Sequence, residues 1–345
     1  MAYSTNIDVG QGIPKGGVLI TEGTTLKEVM LDIRDAIIGD SESRWSEVTA
    51  SSPTPSHLQQ FASTVNASNS SDGSTGFNQH VTLYLDDDPG LNRSSPGARL
   101  MRFYQTGVGI QVAVLDTARI TNSRIESNKW IFCHSNPFSV NNEQNDSSWR
   151  AEGQFISNYN DSSSIRNDVD EGNNLDQDLK FFYVLNDEYI WMNTYHIERT
   201  DNFASNGAYI YHPSEPTNGS VKRDHEPFIW YFRGGSVYSP NRTLYRPASD
   251  TFGRETGGIF EPFMIAGAQD YQDRHIFTEM WAKKSRNNDP SWFFDKFVPD
   301  ARMVGKNAFP DADAAHNFPT TTLDGTKYFV AGGHDSGFRF LLKLA

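Results

Sequence analysis

His334, Asp335 and Ser336 place the three residue types of a nucleophilic triad side by side. Adjacency is the wrong arrangement for that chemistry, because a triad converges in space from separated positions and neighbours along a strand point to opposite faces. Gly332 and Gly333, just before them, mark a turn. Carboxylates gather at Asp86-Asp87-Asp88 and at Asp168-x-Asp170-x-Gly172, where a hard cation could find oxygen ligands. Neither has calcium-loop spacing: counted from Asp168 the glycine falls one place early, and Leu179 stands where the closing glutamate belongs. Acids flank aromatics in Asp187-Glu188-Tyr189-Ile190-Trp191 and in Thr278-Glu279-Met280-Trp281. That pattern suits glycoside hydrolysis or sugar stacking, and equally a strand with one buried aromatic face.

Other chemistry is poorly served. The closest pair of histidines, His212 and His225, is interrupted by Pro213, Pro216 and Gly219, so no two histidines have ligand spacing on one element. Cys133 is the only cysteine, which rules out an intrachain disulfide and a multi-cysteine metal site. Within Trp130-Ile131-Phe132-Cys133 it reads as a small buried residue. A nucleophile elbow, a paired-histidine zinc motif, a phosphate loop and a dinucleotide fingerprint are all missing. Thr106-Gly107-Val108-Gly109 is too short for a nucleotide site and reads as a bend or bulge. The expectation is a protein that is not an enzyme, with no catalytic residue, cofactor or metal.

Against 43 Asp and Glu stand 30 Lys and Arg, a formal net charge of -13, which repels phosphate backbones and argues against nucleic acid as a partner. The densest basic cluster, Lys283, Lys284 and Arg286, is a solvated face. No run approaches the roughly 18 apolar residues of a membrane-spanning helix. The start, Met1-Ala2-Tyr3-Ser4-Thr5-Asn6, lacks a basic and an apolar leader region, so folding in the cytoplasm is expected. Aromatics make up 13% of the chain, enough large side chains for a substantial core.

Residues 1–23 carry Gly10, Gly12, Pro14, Gly16 and Gly17 and few large apolar groups, the composition of an extended arm. Within it Val18, Leu19 and Ile20 could add as a short strand to a neighbouring sheet edge. Residues 24–39 form the clearest element. Thr25 and Glu28 make a capping box, Leu26, Val29, Met30, Ile33 and Ile37 recur at helical spacing, and Gly39 supplies the stop. The stripe must pack on something, either the chain's own core or a partner subunit. Residues 40–76, rich in Ser, Thr, Asn and Pro, read as a linker or long loop, with one or two helical turns allowed at 56–65.

Residues 77–345 then read as a β-rich body with a candidate division near 139–177. Short aromatic or β-branched runs alternate with turn chemistry such as Asp88-Pro89-Gly90 and Asp324-Gly325, and no crossover-length helix intervenes. The fold class expected is mainly β: an antiparallel sandwich or barrel-like body with an extended N-terminal arm and one short amphipathic helix.

The Gly/Pro-bearing arm 1–23, the helix 25–38, the Asn/Ser-rich turns and the terminal run Asp324-Gly325-Thr326-Lys327-Tyr328-Phe329-Val330 resemble, in composition and layout, virion structural proteins of tailed bacteriophages. The resemblance implies a tail, baseplate or neck component, assembled in the host cytoplasm, that binds copies of itself and other virion proteins. Val18, Leu19, Ile20, Leu26, Val29, Met30, Ile33 and Ile37 are then the candidate partner-binding residues. The alternative is a carbohydrate-binding or carbohydrate-cleaving receptor protein of the particle, with a glycan as partner and Trp191 or Trp281 as its platform.

Overall fold

The computed structural model describes residues 4–5, 7–8, 15–56, 58–65, 79–86, 98–106, 109–115, 130–133, 156–157, 174–186, 189–197, 205–211, 228–233, 236–237, 244–245, 260–264, 278–285, 292–308, 320–331 and 338–344. They form a mainly β protein: three antiparallel sheets and one helix, Leu26–Ile38.

The first sheet runs Ser4–Thr5, Leu179–Leu185, Tyr189–His196, Ser205–Tyr211, Phe228–Arg233, Ser236–Val237, with Val18–Ile20 lying beside Ser4–Thr5 on the same edge of Leu179–Leu185. The second runs Leu244–Tyr245, Trp130–Cys133, Gly109–Leu115, Ala98–Thr106, His80–Asp86, Trp45–Glu47, with Ile156–Ser157 also on Gly109–Leu115. The third runs Phe260–Met264, Thr278–Ser285, Trp292–Gly305, Phe338–Lys343, Thr326–Ala331, Thr320–Leu323. Ile7–Asp8 and Lys15–Gly16 make a separate small ribbon.

The helix forms where the periodicity places it. Thr25 Oγ1 accepts from the Glu28 amide at 3.2 Å and Glu28 Oε2 accepts from the Thr25 amide at 3.0 Å, the reciprocal capping box. Gly39 ends it in right-handed backbone, φ -79°, so its lack of a Cβ serves a close approach and not a left-handed turn. A Cβ there would lie 2.7 Å from the Asp35 carbonyl oxygen.

Strand alternation decides where the layers meet. In the second sheet Val81 pairs with Phe103 and Leu83 with Met101, facing the helix; His80, Thr82 and Tyr84 pair with Tyr104, Arg102 and Leu100 on the outer face. In the first sheet Tyr183 points to the helix, where its hydroxyl donates to Asp40 Oδ2 at 2.5 Å, while Trp191 on the opposite face meets Phe329 of the third sheet, ring centroids 4.8 Å apart. The helix therefore fills the space between the first two sheets, and the third covers the far side of the first. One core joins the helix stripe to Leu83, Phe103, Phe181, Trp191, Phe329 and Leu342.

Two sequence-based boundaries change. Residues 40–76 are not simply a linker: Trp45–Glu47 is an edge strand of the second sheet, with Trp45 buried against the core, and the described residues of 56–65 include a 3-10 turn at Gln59–Phe61, within the one or two helical turns allowed there. Residues 139–177 do not separate two sheets, since Leu244–Tyr245 and Ile156–Ser157 both join the sheet that begins at Trp45. Thr106 pairs with Gly109, which fits the bend expected between Arg102-Phe103-Tyr104 and the run from Ile110 to Leu115.

Candidate functional site

The helix stripe expected to meet a partner or the chain's own core does the second. Leu26, Val29, Met30, Ile33 and Ile37 are each fully buried, and all five belong to the main core. Their apolar surface is already removed from water, so they offer no docking face. One side chain also ties the helix to the second sheet: Arg34 donates to Glu47 Oε2 at 3.2 Å, and to its helix neighbour Asp35 Oδ1 at 2.8 Å.

The short strand behaves differently along its length. Val18, Leu19 and Ile20 pair antiparallel with Phe181, Lys180 and Leu179, so the edge they add to belongs to their own chain. Alternation then sends Ile20 into the core and Leu19 outward. Leu19 is 52% exposed and is the one exposed large apolar residue among the described residues. Val18 is half-buried against the core. Among the described strands, Val18–Ile20 pairs on one side only. Of the eight candidate residues, Leu19 alone is exposed.

A polar cluster that the sequence does not reveal sits on the outer face of the second sheet. Residues 49–62 leave that sheet at Val48, whose amide donates to the Thr82 carbonyl at 2.8 Å, and return at Thr64, which exchanges two 2.9 Å backbone bonds with His80. Between these anchors the segment folds over the face, burying Leu58 and Phe61. Arg102 holds it there. Its Nη2 donates to the Phe61 carbonyl at 3.1 Å, Nε to Thr82 Oγ1 at 2.8 Å and Nη1 to the Tyr104 hydroxyl at 3.0 Å, and the guanidinium lies 5.3 Å from the Tyr104 ring centre. His80 Nε2 lies 3.1 Å from the Ala62 carbonyl. Burial, the nearby Arg102 charge opposing a second one, pulls the His80 pKa down to about 4. The only local trace of this cluster in the sequence is Arg102 inside the apolar run Leu100-Met101-Arg102-Phe103-Tyr104.

The other chemistry-bearing candidates do not converge among the described residues. Trp191 is 2% exposed and packed on Phe329, so it cannot serve as a sugar platform. Trp281 and Cys133 lie in strands Thr278–Ser285 and Trp130–Cys133. His334-Asp335-Ser336, Asp87-Asp88, Asp168 to Gly172, His212 and His225 fall outside the described residues. Among the described residues no three His, Cys, Asp or Glu side chains are grouped to hold a metal ion, and no helix is long and apolar enough to cross a membrane. Compared with known proteins, the chain matches no family model and no curated protein.

Proposed function

We propose that this chain is a non-enzymatic structural component of a tailed-bacteriophage virion, of the tail, baseplate or neck, that acts by binding copies of itself and neighbouring virion proteins. The observation that carries the reading is the Val18–Ile20 edge, where a strand with a free side in the described structure presents the exposed Leu19. Such an edge can accept a further strand, main-chain hydrogen bonds supplying affinity and an apolar side chain supplying fit. The acidic balance of -13, which disfavours nucleic acid, and the arm-helix-sheet layout support the same reading.

The helix and Ile20 lie inside the fold, so the contact proposed is narrower than the whole arm. A truncation removing residues 1–23 would also take Ile20 from the core and confuse assembly with folding. Leu19→Asp is the cleaner probe, because it adds charge at an exposed site. Size-exclusion chromatography with light scattering is expected to show the full chain as an oligomer and Leu19→Asp at lower mass with unchanged circular dichroism. A full chain that stays monomeric at every concentration overturns self-assembly, and an oligomer untouched by Leu19→Asp overturns this edge as its contact.

A further inference from the structure

The outer face of the second sheet carries a cover, residues 49–62, pinned at both ends to one strand and held by contacts from His80 and Arg102. His80 is the key group. A carbonyl oxygen can only accept, so the 3.1 Å contact with Ala62 requires the hydrogen on Nε2 and leaves Nδ1 as a bare lone pair. Nδ1 is buried and has no hydrogen-bond partner among the described residues. Protonating it would create a buried N–H donor with nothing to accept it, and a second positive charge beside Arg102. The remaining titratable group against the ring from the neighbouring strand is Tyr104, centroid 5.7 Å away, which supplies no negative charge near neutral pH. Ser63 and Thr64, which anchor the cover's return, carry no charge, and neither does any described residue of the cover; His57, in the same segment, lies outside the described residues.

We propose that His80 and Arg102 form an acid-sensitive latch that holds residues 49–62 over the outer face of the second sheet at neutral pH and releases them when Nδ1 takes a proton. Release exposes Phe61, Leu58 and the Arg102–Tyr104 surface beneath them, while the face packed on the helix stays covered.

The sign follows from the histidine. Its pKa is about 4 in the closed state against 6.5 in the open one, so closure is favoured fully above pH 6.5 and weakens as pH falls between 6.5 and 4. At pH 5 those values correspond to an opening equilibrium about thirtyfold larger than at pH 7.5. The test is amide hydrogen exchange of residues 58–65 in the full chain, compared with His80→Gln at one pH so that intrinsic exchange rates cancel. Gln keeps a donor for the Ala62 carbonyl and does not titrate. Equal protection is expected at pH 7.5 and about thirtyfold lower protection in the unsubstituted chain at pH 5, with His57→Gln behaving like the unsubstituted chain. Equal loss in His80→Gln, or loss abolished by His57→Gln, overturns the latch. Should His80→Gln be open already at pH 7.5, the imidazole titration of the unsubstituted chain decides by NMR: a midpoint depressed toward 4 supports the latch, and one at 6.5 overturns it.

Discussion

Two glycines with nearly the same backbone separate conformation from crowding at the residue scale. Gly17 has φ +78° and Gly325 φ +79°, both in the left-handed region that side chains other than glycine enter at a cost. They differ in what a side chain would meet. At Gly325, in the turn between Thr320–Leu323 and Thr326–Ala331, a Cβ would have nothing within 4 Å; at Gly17 it would lie 2.6 Å from Phe182 Cε1 and 3.1 Å from the Phe181 carbonyl. Gly325→Ala should therefore cost about 1 kcal/mol, the backbone preference alone. Gly17→Ala should cost about 2 to 4 kcal/mol, because Phe182 must shift and the short strand after it loosens. Urea unfolding of the two variants measures the difference, and equal losses would mean that Phe182 yields without cost. Asp324-Gly325 is readable as a hairpin turn from its dipeptide alone; Gly17 is not, since Phe182 comes from a strand 165 positions away in the chain, that is 182 minus 17.

At the scale of elements, what could be read in the sequence is what is local. The helix declares itself through its capping box and stripe, and strands such as Gly109–Leu115 and Leu179–Leu185 through apolar runs between turn residues. Trp292–Gly305 does not, because Pro299 and Asp300 interrupt its alternation. Its pairing with Thr278–Ser285 slips between Glu279 and Trp281, and Asp300 takes φ +59°, so an irregularity in the ladder absorbs the proline. Trp45–Glu47 escapes notice for another reason: three residues carry no period, and only pairing with Leu83, Tyr84 and Leu85 makes them a strand. The candidate site was legible to the same degree. Alternation inside Val18–Ile20 separates Leu19 from Ile20, but which edge receives the strand is a long-range fact. Tyr183 shows how such a fact is secured. Burial, reinforced by its bond to Asp40, raises its pKa well above the usual 10, so the stability this tie between strand and helix end contributes is full below pH 10 and declines as pH rises from there toward the folded-state pKa. Tyr183→Phe should lower stability by about 1 to 3 kcal/mol at pH 7. It should also flatten the fall in stability above pH 10 seen in the unsubstituted chain; denaturant midpoints measured at pH 7, 9 and 11 would show a parallel fall in both if another group governs the alkaline limb.

At the scale of the molecule, order along the chain and order in space disagree, and the disagreement sets how the protein unfolds. The first sheet takes its edge from Ser4–Thr5 and Val18–Ile20 and its centre from residues beyond 178; the second takes strands from Trp45 to Tyr245. The third is built from residues 260–343 but reaches the common core through Ala301, Phe329 and Leu342, with Phe329 seated on Trp191. A sheet on a shared core cannot melt without exposing its neighbour's apolar face, so the three should unfold together even though the third is contiguous in sequence. Ile33→Ala, in the helix between the first and second sheets, and Leu342→Ala, in the third, each empty a fully buried site and should each cost about 2 to 5 kcal/mol. Calorimetry should show one transition in the unsubstituted chain, displaced as a whole by either substitution. Two transitions, with Leu342→Ala lowering only one and Ile33→Ala only the other, would make the third sheet a separate folding unit and reduce the Trp191–Phe329 contact to an interface between two bodies.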